Sequence, residues 1–336
     1  MTTVTSTAPR TPASAPTRER KPILEGQELV LIGVIAVIWA VLAVVTDTFM
    51  TTSNIQTVLW TVAPVAIIGV GMTAVMVTAG IDVSVGSQIA IVMVVVGKLL
   101  RDTGIGLLPA LGIAVVLGAV LGTINGVIIV YGRIHPMIVT FGMLNVYRFV
   151  ALQIFGDTQV AGVPGTLGSL GGSKSAITLG IPNAMWLVVA LMAVQWTYMR
   201  YWARGRHLYA IGGDIGAARL AGIRVNRQLV GVYLLLGALV GVAGIVQIGS
   251  GGLIQQNVGI GLELQVIAAC VIGGTSVVGG RGTPLGTLFG ALLVGTVSSA
   301  VTHLGWPNEL SNFFVGVFII VAVGIDLVRQ SRRAKL

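Results

Sequence analysis

The chain has 336 residues, of which 55% are hydrophobic and only 9% are charged, and its mean hydropathy is +0.94. Charged residues make up about a quarter of an ordinary soluble domain, so this composition excludes that class of protein. The net charge of +9 does not indicate nucleic-acid binding, because the basic residues lie between apolar segments and form no basic stripe with interleaved aromatic residues. Basic cytoplasmic loops of a membrane protein produce the same excess of positive charge.

The apolar residues form ten segments, and a helix needs about 20 such residues to span the hydrocarbon core of a bilayer. The segments lie at 29–46, 56–78, 83–100, 105–131, 136–155, 182–202, 228–249, 262–278, 284–302 and 309–328. The sequence therefore predicts an all-α, polytopic membrane helix bundle with about ten transmembrane helices, some of them broken. Residues 29–328 form a single transmembrane domain in this interpretation.

The distribution of basic residues predicts that both termini are cytoplasmic. This orientation places most of the basic residues inside: Arg133, Arg200, Arg204, Arg206, Arg219, Arg224, Arg227, Arg281, Arg329, Arg332, Arg333 and Lys335. The exceptions outside are Lys98, Arg101 and Lys174. Residues 1–28, rich in Thr, Ser, Pro and Ala, are predicted to be a disordered cytoplasmic tail. Residues 329–336 are predicted to be a short basic cytoplasmic tail.

Sequence signatures of energy conversion and catalysis are missing. Nothing matches the phosphate-binding pattern G-x-x-x-x-G-K-[ST] that a transporter hydrolysing ATP itself would need, so its energy must come from elsewhere. The histidines at 135, 207 and 303 are scattered, with no H-E-x-x-H and no paired carboxylates. We therefore predict no catalytic residue, no metal site, no cofactor and no enzyme activity. The lone Cys270 lies within an apolar run and is interpreted as a packing residue.

Ionisable residues are rare within the predicted spans, and the clear cases are Asp82, Arg148 and Glu263. Three such charges without a relay argue against a secondary transporter, because an intramembrane charge is costly and marks a function when present. Glu263 follows the glycines at 259 and 261, so it either caps the eighth span or faces the pore near its outer mouth. Arg148 is expected to pair with a polar group or with backbone carbonyls.

The segment around Asp82 predicts a broken helix. Asp82 follows Gly80 and precedes an apolar run, and the carboxylate of an Asp at this position can accept the free N–H groups of a helix's first turn. Helix breaks are tolerated in membranes where the backbone is buried in protein or lines a water-filled cavity. Asp82 is therefore either a structural cap or, with Ser84 and Ser87, part of a polar surface for a passing substrate.

Glycine is abundant, with 47 residues, and much of it recurs at helical spacing. Such spacing lets helix backbones approach closely, which holds a bundle together where burial of apolar side chains gains little. We interpret these residues as packing seams: Gly118, Gly122 and Gly126; Gly237 and Gly241; Gly282, Gly286 and Gly290.

The cytoplasmic stretch 204–227 is too long for a simple turn. Asp214 can cap a short helix, and Gly222 can end it with a left-handed residue. The small residues at 216–218 would let this helix dock closely. The segment is interpreted either as a docking element for another protein or as a solvated basic loop.

Three ordered motifs and this cytoplasmic segment together resemble a known family. They read T-A-G-I-D-V-S-V-G-S at 78–87, H-P-M-I-V-T-F-G-M at 135–143, Y-A-I-G-G-D-I-G-A-A-R-L-A-G-I at 209–223 and E-L-Q-V-I-A-A-C-V-I-G-G-T-S-V-V-G-G-R-G-T-P-L-G at 263–286. The family is that of permease subunits of bacterial ABC importers for ribose, xylose, galactose, rhamnose and autoinducer-2, and the resemblance covers about residues 30–328. Asp214 and Gln265 depart from it, since the family often has Asn and Asp there.

The resemblance implies a multi-pass protein of the bacterial inner membrane. A second permease chain, cytoplasmic ATP-binding subunits and an extracytoplasmic sugar-binding protein would be its partners, with ATP bound by the partner subunit. The implied coupling residues are Tyr209, Gly212, Gly213, Asp214, Ala217, Ala218, Arg219, Gly222 and Ile223. The hypothetical substrate pathway consists of Asp82, Ser84, Ser87, Asn125, Thr140, Phe141, Asn145, Glu263 and Gln265. A permease of the related amino-acid importers and a proton-coupled secondary transporter are the alternatives.

Overall fold

The computed structural model describes residues 26–156, 159–162, 167–170, 176–251, 253–307 and 309–333. Within these ranges the chain is almost entirely helical, with one short antiparallel hairpin of β1 (Ile177–Thr178) and β2 (Ile181–Pro182). The helices are α1 (Gly26–Val45), α2 (Thr52–Val77), α3 (Val85–Thr103), α4 (Leu107–Gly132), α5 (Pro136–Phe155), α6 (Asn183–Tyr201), α7 (Ala203–Gly213), α8 (Ile215–Leu220), α9 (Val225–Gly251), α10 (Leu262–Ile272), α11 (Pro284–His303) and α12 (Glu309–Arg333).

A helix lies in each of the ten predicted apolar segments, and the all-α membrane bundle is confirmed. Six of the described helices, namely α1, α2, α4, α5, α9 and α11, are long and apolar enough to cross a membrane. The remaining four are shorter or more polar, so length and composition alone do not establish ten crossings. The short helices α7 and α8 follow α6 and occupy the predicted cytoplasmic segment.

The eighth predicted span is shorter than expected. It was predicted over residues 262–278, but α10 ends at Ile272. Its 11 residues rise about 16 Å, roughly half of the hydrocarbon thickness. The physical reason is the glycine-rich sequence that follows, in which Gly274 and Gly279 have φ values of +90° and +96°, outside the right-handed helical region.

The core of the bundle is α2, which is mostly buried and packs against α6, α9, α10 and α11. Thr73 lies on α2, and its buried hydroxyl group is 2.6 Å from the hydroxyl group of Thr287 on α11. Cys270 is buried beside them, with its Sγ 3.6 Å from the carbonyl oxygen of Gly69. This position is consistent with the predicted packing role.

The predicted glycine seams join α4 to α9 and α10 to α11. A β-carbon at Gly118 would lie 2.1 Å from the carbonyl oxygen of Gly237, and one at Gly290 would lie 2.0 Å from that of Ala269. Real β-carbons do not approach so closely, so these backbones are in contact because the side chains are absent. Gly282 is an exception to the prediction, since it lies in the loop before α11 with φ of +149°.

The ends of the transmembrane domain differ from the predicted boundaries. Residues 26–28, assigned to the predicted tail, form the first turn of α1. Glu28 is buried and its Oε1 accepts a hydrogen bond of 2.6 Å from the Thr283 hydroxyl at the start of α11. At the other end, residues 329–333 continue α12. Residues 1–25 and 334–336 lie outside the described residues.

Candidate functional site

The break between α2 and α3 is organised around the carboxylate of Asp82, which is fully buried. Its Oδ1 accepts hydrogen bonds from the backbone N–H of Ser84 at 2.8 Å and from the Ser84 hydroxyl at 2.6 Å. Ser84 is the residue that precedes α3. Ser84, not Asp82, is therefore the N-cap of α3, and Asp82 binds the N-cap residue itself and not the N–H groups of the first turn that the capping alternative predicted.

Two amides donate to the other side of the same carboxylate. Nε2 of Gln88 lies 3.2 Å and Nδ2 of Asn125 lies 3.0 Å from Asp82 Oδ2. The Asn125 Oδ1 accepts a hydrogen bond of 3.1 Å from the hydroxyl of Tyr147 on α5. Hydrogen bonds to a charged group contribute about 1.5–3 kcal/mol each, so four donors can offset part of the cost of burying this carboxylate.

Thr140 on α5 joins this network through the backbone of the break. Its hydroxyl donates to the carbonyl of Ile81 at 3.2 Å and accepts from the N–H of Val83 at 3.3 Å. The Thr140 hydroxyl thus supplies hydrogen bonds to backbone groups of the α2–α3 break that regular helix partners would otherwise make. We refer to Asp82, Ser84, Gln88, Asn125, Thr140 and Tyr147 as the Asp82 network.

Two buried hydroxyl groups beside the Asp82 network have no hydrogen-bond partner among the described residues. They belong to Ser87 on α3 and Tyr233 on α9. The Tyr233 hydroxyl packs against Gly80, where a β-carbon would lie only 2.7 Å away. This region is therefore polar as well as buried.

Among the described residues, Phe141, Asn145 and Gln265 form no hydrogen bond with the Asp82 network. Phe141 is 62% exposed, and Asn145, one turn along α5, is also exposed and donates a hydrogen bond to the Phe141 carbonyl. They share one face of α5. Gln265 on α10 is half-buried. The predicted set thus comprises a buried polar group and a separate exposed surface.

Glu263 and Arg148 lie near the start of α10. Oε1 of Glu263 accepts a hydrogen bond of 3.3 Å from the N–H of Gly261, the residue that precedes the helix. This contact fits the capping alternative, while the other carboxylate oxygen of Glu263 faces Gly86 on α3. Arg148 donates to the carbonyls of Val258 at 2.8 Å and Gly86 at 3.3 Å, which confirms its predicted pairing with backbone carbonyls.

The segment 204–227 contains the predicted short helix, α8. Oδ1 of Asp214 accepts from the N–H groups of Gly216 at 2.7 Å and Ala217 at 3.0 Å. At the other end Gly222 has φ of +79°, and the N–H of Ile223 donates to the carbonyl of Ala218. Both predicted helix ends are confirmed, and the second is a Schellman motif. Ala218 is the buried residue of α8, whereas Leu220 is 92% exposed.

The preceding helix α7 is held against the transmembrane domain at its end. A β-carbon at Gly212 would lie 1.8 Å from the carbonyl oxygen of Val77, the last residue of α2. The hydroxyl of Tyr209 donates to the carbonyl of Gly282 at 2.8 Å. The predicted coupling residues therefore divide into contacts with the bundle and an outward surface formed by Gly213, Ala217 and Arg219.

No cluster of three or more His, Cys, Asp or Glu suited to a metal ion occurs in the part of the chain that the structure describes.

Comparison with known proteins places the chain in a family. The profile described as "Branched-chain amino acid transport system / permease component" matches residues 54–323. The chain belongs to this permease family. No solved structure matches it.

Curated relatives of the permease are similar over most of its length. It is 34% identical to the ribose import permease protein RbsC of Escherichia coli over 295 residues, which cover 88% of this chain and 92% of that protein. It is 31% identical to RbsC of Haemophilus influenzae, covering 85% and 89%, and 30% identical to the autoinducer 2 import system permease protein LsrC of Enterobacter sp., covering 94% and 92%. The predictions of an importer permease, of a multi-pass membrane location and of a transport subunit rather than an enzyme are confirmed.

Sequence reasoning missed two members of the Asp82 network and its neighbour Tyr233. Gln88 carried a usable signal, because it follows Ser84 by one helical turn within an otherwise apolar run. Tyr147 and Tyr233 carried none, since a tyrosine in a transmembrane helix is equally consistent with an interfacial or a core position.

Proposed function

We propose that this permease forms the translocation pathway of an ABC importer for a monosaccharide or a related small polyol. The similarity to the ribose import permease over 88% of the chain carries the proposal. The family profile is named for branched-chain amino acids, but the relatives described above are named for ribose and autoinducer 2. An extracytoplasmic binding protein would deliver the solute and supply most of the specificity.

The energy would come from separate ATP-binding subunits that dock beneath a pair of permease chains. The outward surface of α8 supports this assignment, because it is exposed and bounded by a capped start and a Schellman end. A rigid helix transmits force better than a loop, and α7 links α8 to the end of α2 through Gly212. Closure of the ATPase dimer would then move the end of α2 directly.

The proposed topology has ten membrane crossings and both termini in the cytoplasm. The basic residues support it, since most of them then lie on the cytoplasmic side. In this topology α3, α6, α10 and α12 cross or enter the membrane in addition to the six apolar helices. The short α10 and the α2–α3 break are the discontinuous elements at membrane depth.

The pathway would run along residues of the α2–α3 break, α5 and the start of α10. Weak polar contacts suffice there, since tight binding would slow release. The pore would alternate between outward and inward access as the ATPase subunits bind and hydrolyse ATP. The residues proposed to contact the solute are Asp82, Ser84, Ser87, Asn125, Thr140, Phe141, Asn145, Glu263 and Gln265.

Reconstitution tests the proposal. The permease, purified in mild detergent with its co-purifying subunits, is placed in liposomes, and uptake of labelled ribose and of labelled leucine is measured with and without ATP. We expect ATP-dependent uptake of the sugar in the presence of the binding protein. The matched control is the same preparation with a non-hydrolysable ATP analogue.

Two outcomes would contradict the proposal. Uptake of leucine but not of sugars would assign the chain to the amino-acid importers. Accumulation of solute by the isolated permease under a proton gradient, without ATPase subunits, would identify a secondary transporter.

A further inference from the structure

A cavity of about 900 Å³ opens between α6, α7 and α9, away from the Asp82 network. The proposed pathway does not use it. Its wall is mainly apolar, formed by Ala193, Val194, Leu208, Val232 and Leu235. Val194 is 68% exposed, so the cavity is open on the outer side of α6 rather than closed within the bundle.

Three arginines line the other end of this cavity: Arg204, Arg224 and Arg227. All three are exposed. In the described part of the chain the only salt bridge joins Arg101 and Asp102, so none of the three has a carboxylate partner there. No acidic residue lines the cavity. This end is therefore complementary to an anion, and arginine is well suited to phosphate because its planar guanidinium can donate two parallel hydrogen bonds.

A buried amide and two aromatic residues lie between the apolar wall and the arginines. Gln195 is only 6% exposed, and its Nε2 has no hydrogen-bond partner among the described residues. It lines the cavity together with Tyr198 and Trp202. An unpartnered buried N–H donor calls for an acceptor from a ligand. Tyrosine and tryptophan are the residues typical of the membrane–water interface.

The dimensions match one leaflet of a bilayer. Ala193 lies eight residues before Tyr201, the end of α6, which corresponds to a depth of about 12 Å along the helix. Half of the hydrocarbon core is about 15 Å. In the proposed topology, in which α6 crosses the membrane, a water-soluble partner cannot reach this depth, whereas an acyl chain can.

We propose that this cavity binds an anionic phospholipid, with the phosphate on Arg204, Arg224 and Arg227 and an acyl chain along the apolar wall. Gln195 would donate to an ester or phosphate oxygen. The lipid would sit directly beside α7, and thus beside the segment proposed to receive the ATPase. Basic pockets between transmembrane helices are known to take anionic head groups.

Native mass spectrometry of the full-length permease tests the site, with phosphatidylglycerol and phosphatidylcholine of identical acyl chains supplied in equal amounts. We expect selective retention of phosphatidylglycerol. One arginine near an anionic head group changes affinity by about fivefold, so Arg224→Gln and Arg227→Gln should each reduce retention by about that factor. Arg133→Gln is the matched control, because Arg133 is exposed but does not line the cavity.

The acyl chain is tested separately by filling the apolar wall. Ala193→Trp should reduce phosphatidylglycerol retention, whereas Val189→Trp, on the same helix but outside the cavity, should not. Equal retention of the two lipids, or an equal loss in Arg133→Gln, would overturn the proposal. Displacement of the lipid by millimolar inorganic phosphate, or no effect of Ala193→Trp, would also overturn it and indicate a site for a free anion. A photo-crosslinker at position 194 that captured a protein subunit instead of lipid in the assembled transporter would do the same.

Discussion

The side-chain amide of Asn125 on α4 lies 3.0 Å from the carboxylate of Asp82 in the break between α2 and α3. Through its oxygen the same amide also accepts a hydrogen bond from Tyr147 on α5. One asparagine therefore connects the helix break to two neighbouring helices, and all three side chains are buried.

Asn125→Leu should destabilise the bundle, because it removes an amide donor from the buried carboxylate of Asp82. The Tyr147 hydroxyl keeps its other acceptor, the carbonyl of Leu121 at 2.9 Å. A lost buried hydrogen bond to a charged group costs about 1.5–3 kcal/mol. We expect a clear fall in the melting temperature of the detergent-purified permease. Thr123→Val on the same helix is the control, since the Thr123 hydroxyl bonds only within its own helix, to Ala119. Equal melting temperatures for the two variants would contradict a stabilising Asp82 network.

Gly118→Ala should separate α4 from α9. The added β-carbon would lie 2.1 Å from the carbonyl oxygen of Gly237, a distance that only movement of the backbones can relieve. We expect a loss of stability of about 1–3 kcal/mol, the usual cost of overpacking a tight core, measured as the melting temperature and as the monodisperse yield. Gly112→Ala on the same helix has no atom within 4 Å of its β-carbon and should be neutral. A neutral Gly118→Ala would refute the close seam.

Gly212→Ala should disturb the contact between α7 and the end of α2. Its β-carbon would lie 1.8 Å from the carbonyl oxygen of Val77, whereas the adjacent Gly213 has open space. We expect Gly212→Ala to reduce ATP-driven uptake much more than Gly213→Ala does. Comparison of ATPase activity with uptake in the same liposomes is the measurement. Uptake that is equal in the two variants would show that this contact does not transmit the motion.

Because Asp214 caps α8, its substitutions should affect solute uptake to different degrees. Asn accepts hydrogen bonds from the N–H groups of a helix's first turn as well as Asp does, whereas Ala does not, at a cost of about 1 kcal/mol. Asp214→Asn should therefore retain uptake and Asp214→Ala should lower it. If both variants lost uptake equally, the charge of Asp214 and not its capping geometry would be required.

Phe141 tests the exposed part of the proposed pathway. Phe141→Ala should slow sugar uptake without lowering the melting temperature, because the side chain is 62% exposed and removes little packing. Phe149, also 62% exposed on α5, provides the control variant Phe149→Ala. Slower uptake in Phe149→Ala, or unchanged uptake in Phe141→Ala, would show that Phe141 is not a pathway residue.

Structural features that depend only on residues close together in the sequence could be predicted. The apolar segments, the cap at Asp214 and the stop at Gly222 all follow from short-range rules on hydropathy, capping and backbone conformation. The prediction failed where such rules compete. The apolar segment was predicted to continue to residue 278, but the glycines within and directly after residues 273–278 favour a loop with positive φ at Gly274, Gly279 and Gly280.

The sequence by itself determined that the chain is embedded in lipid, where its helical segments lie and that the segment 204–227 contains a capped helix. Only the tertiary structure decided which polar groups meet, because Asp82, Asn125 and Tyr147 are tens of residues apart and no local rule pairs them. It also decided which glycines have no room for a side chain. Gly212 and Gly213 are equivalent in sequence, and only the packing of α7 against α2 leaves room for a side chain at one of them and none at the other.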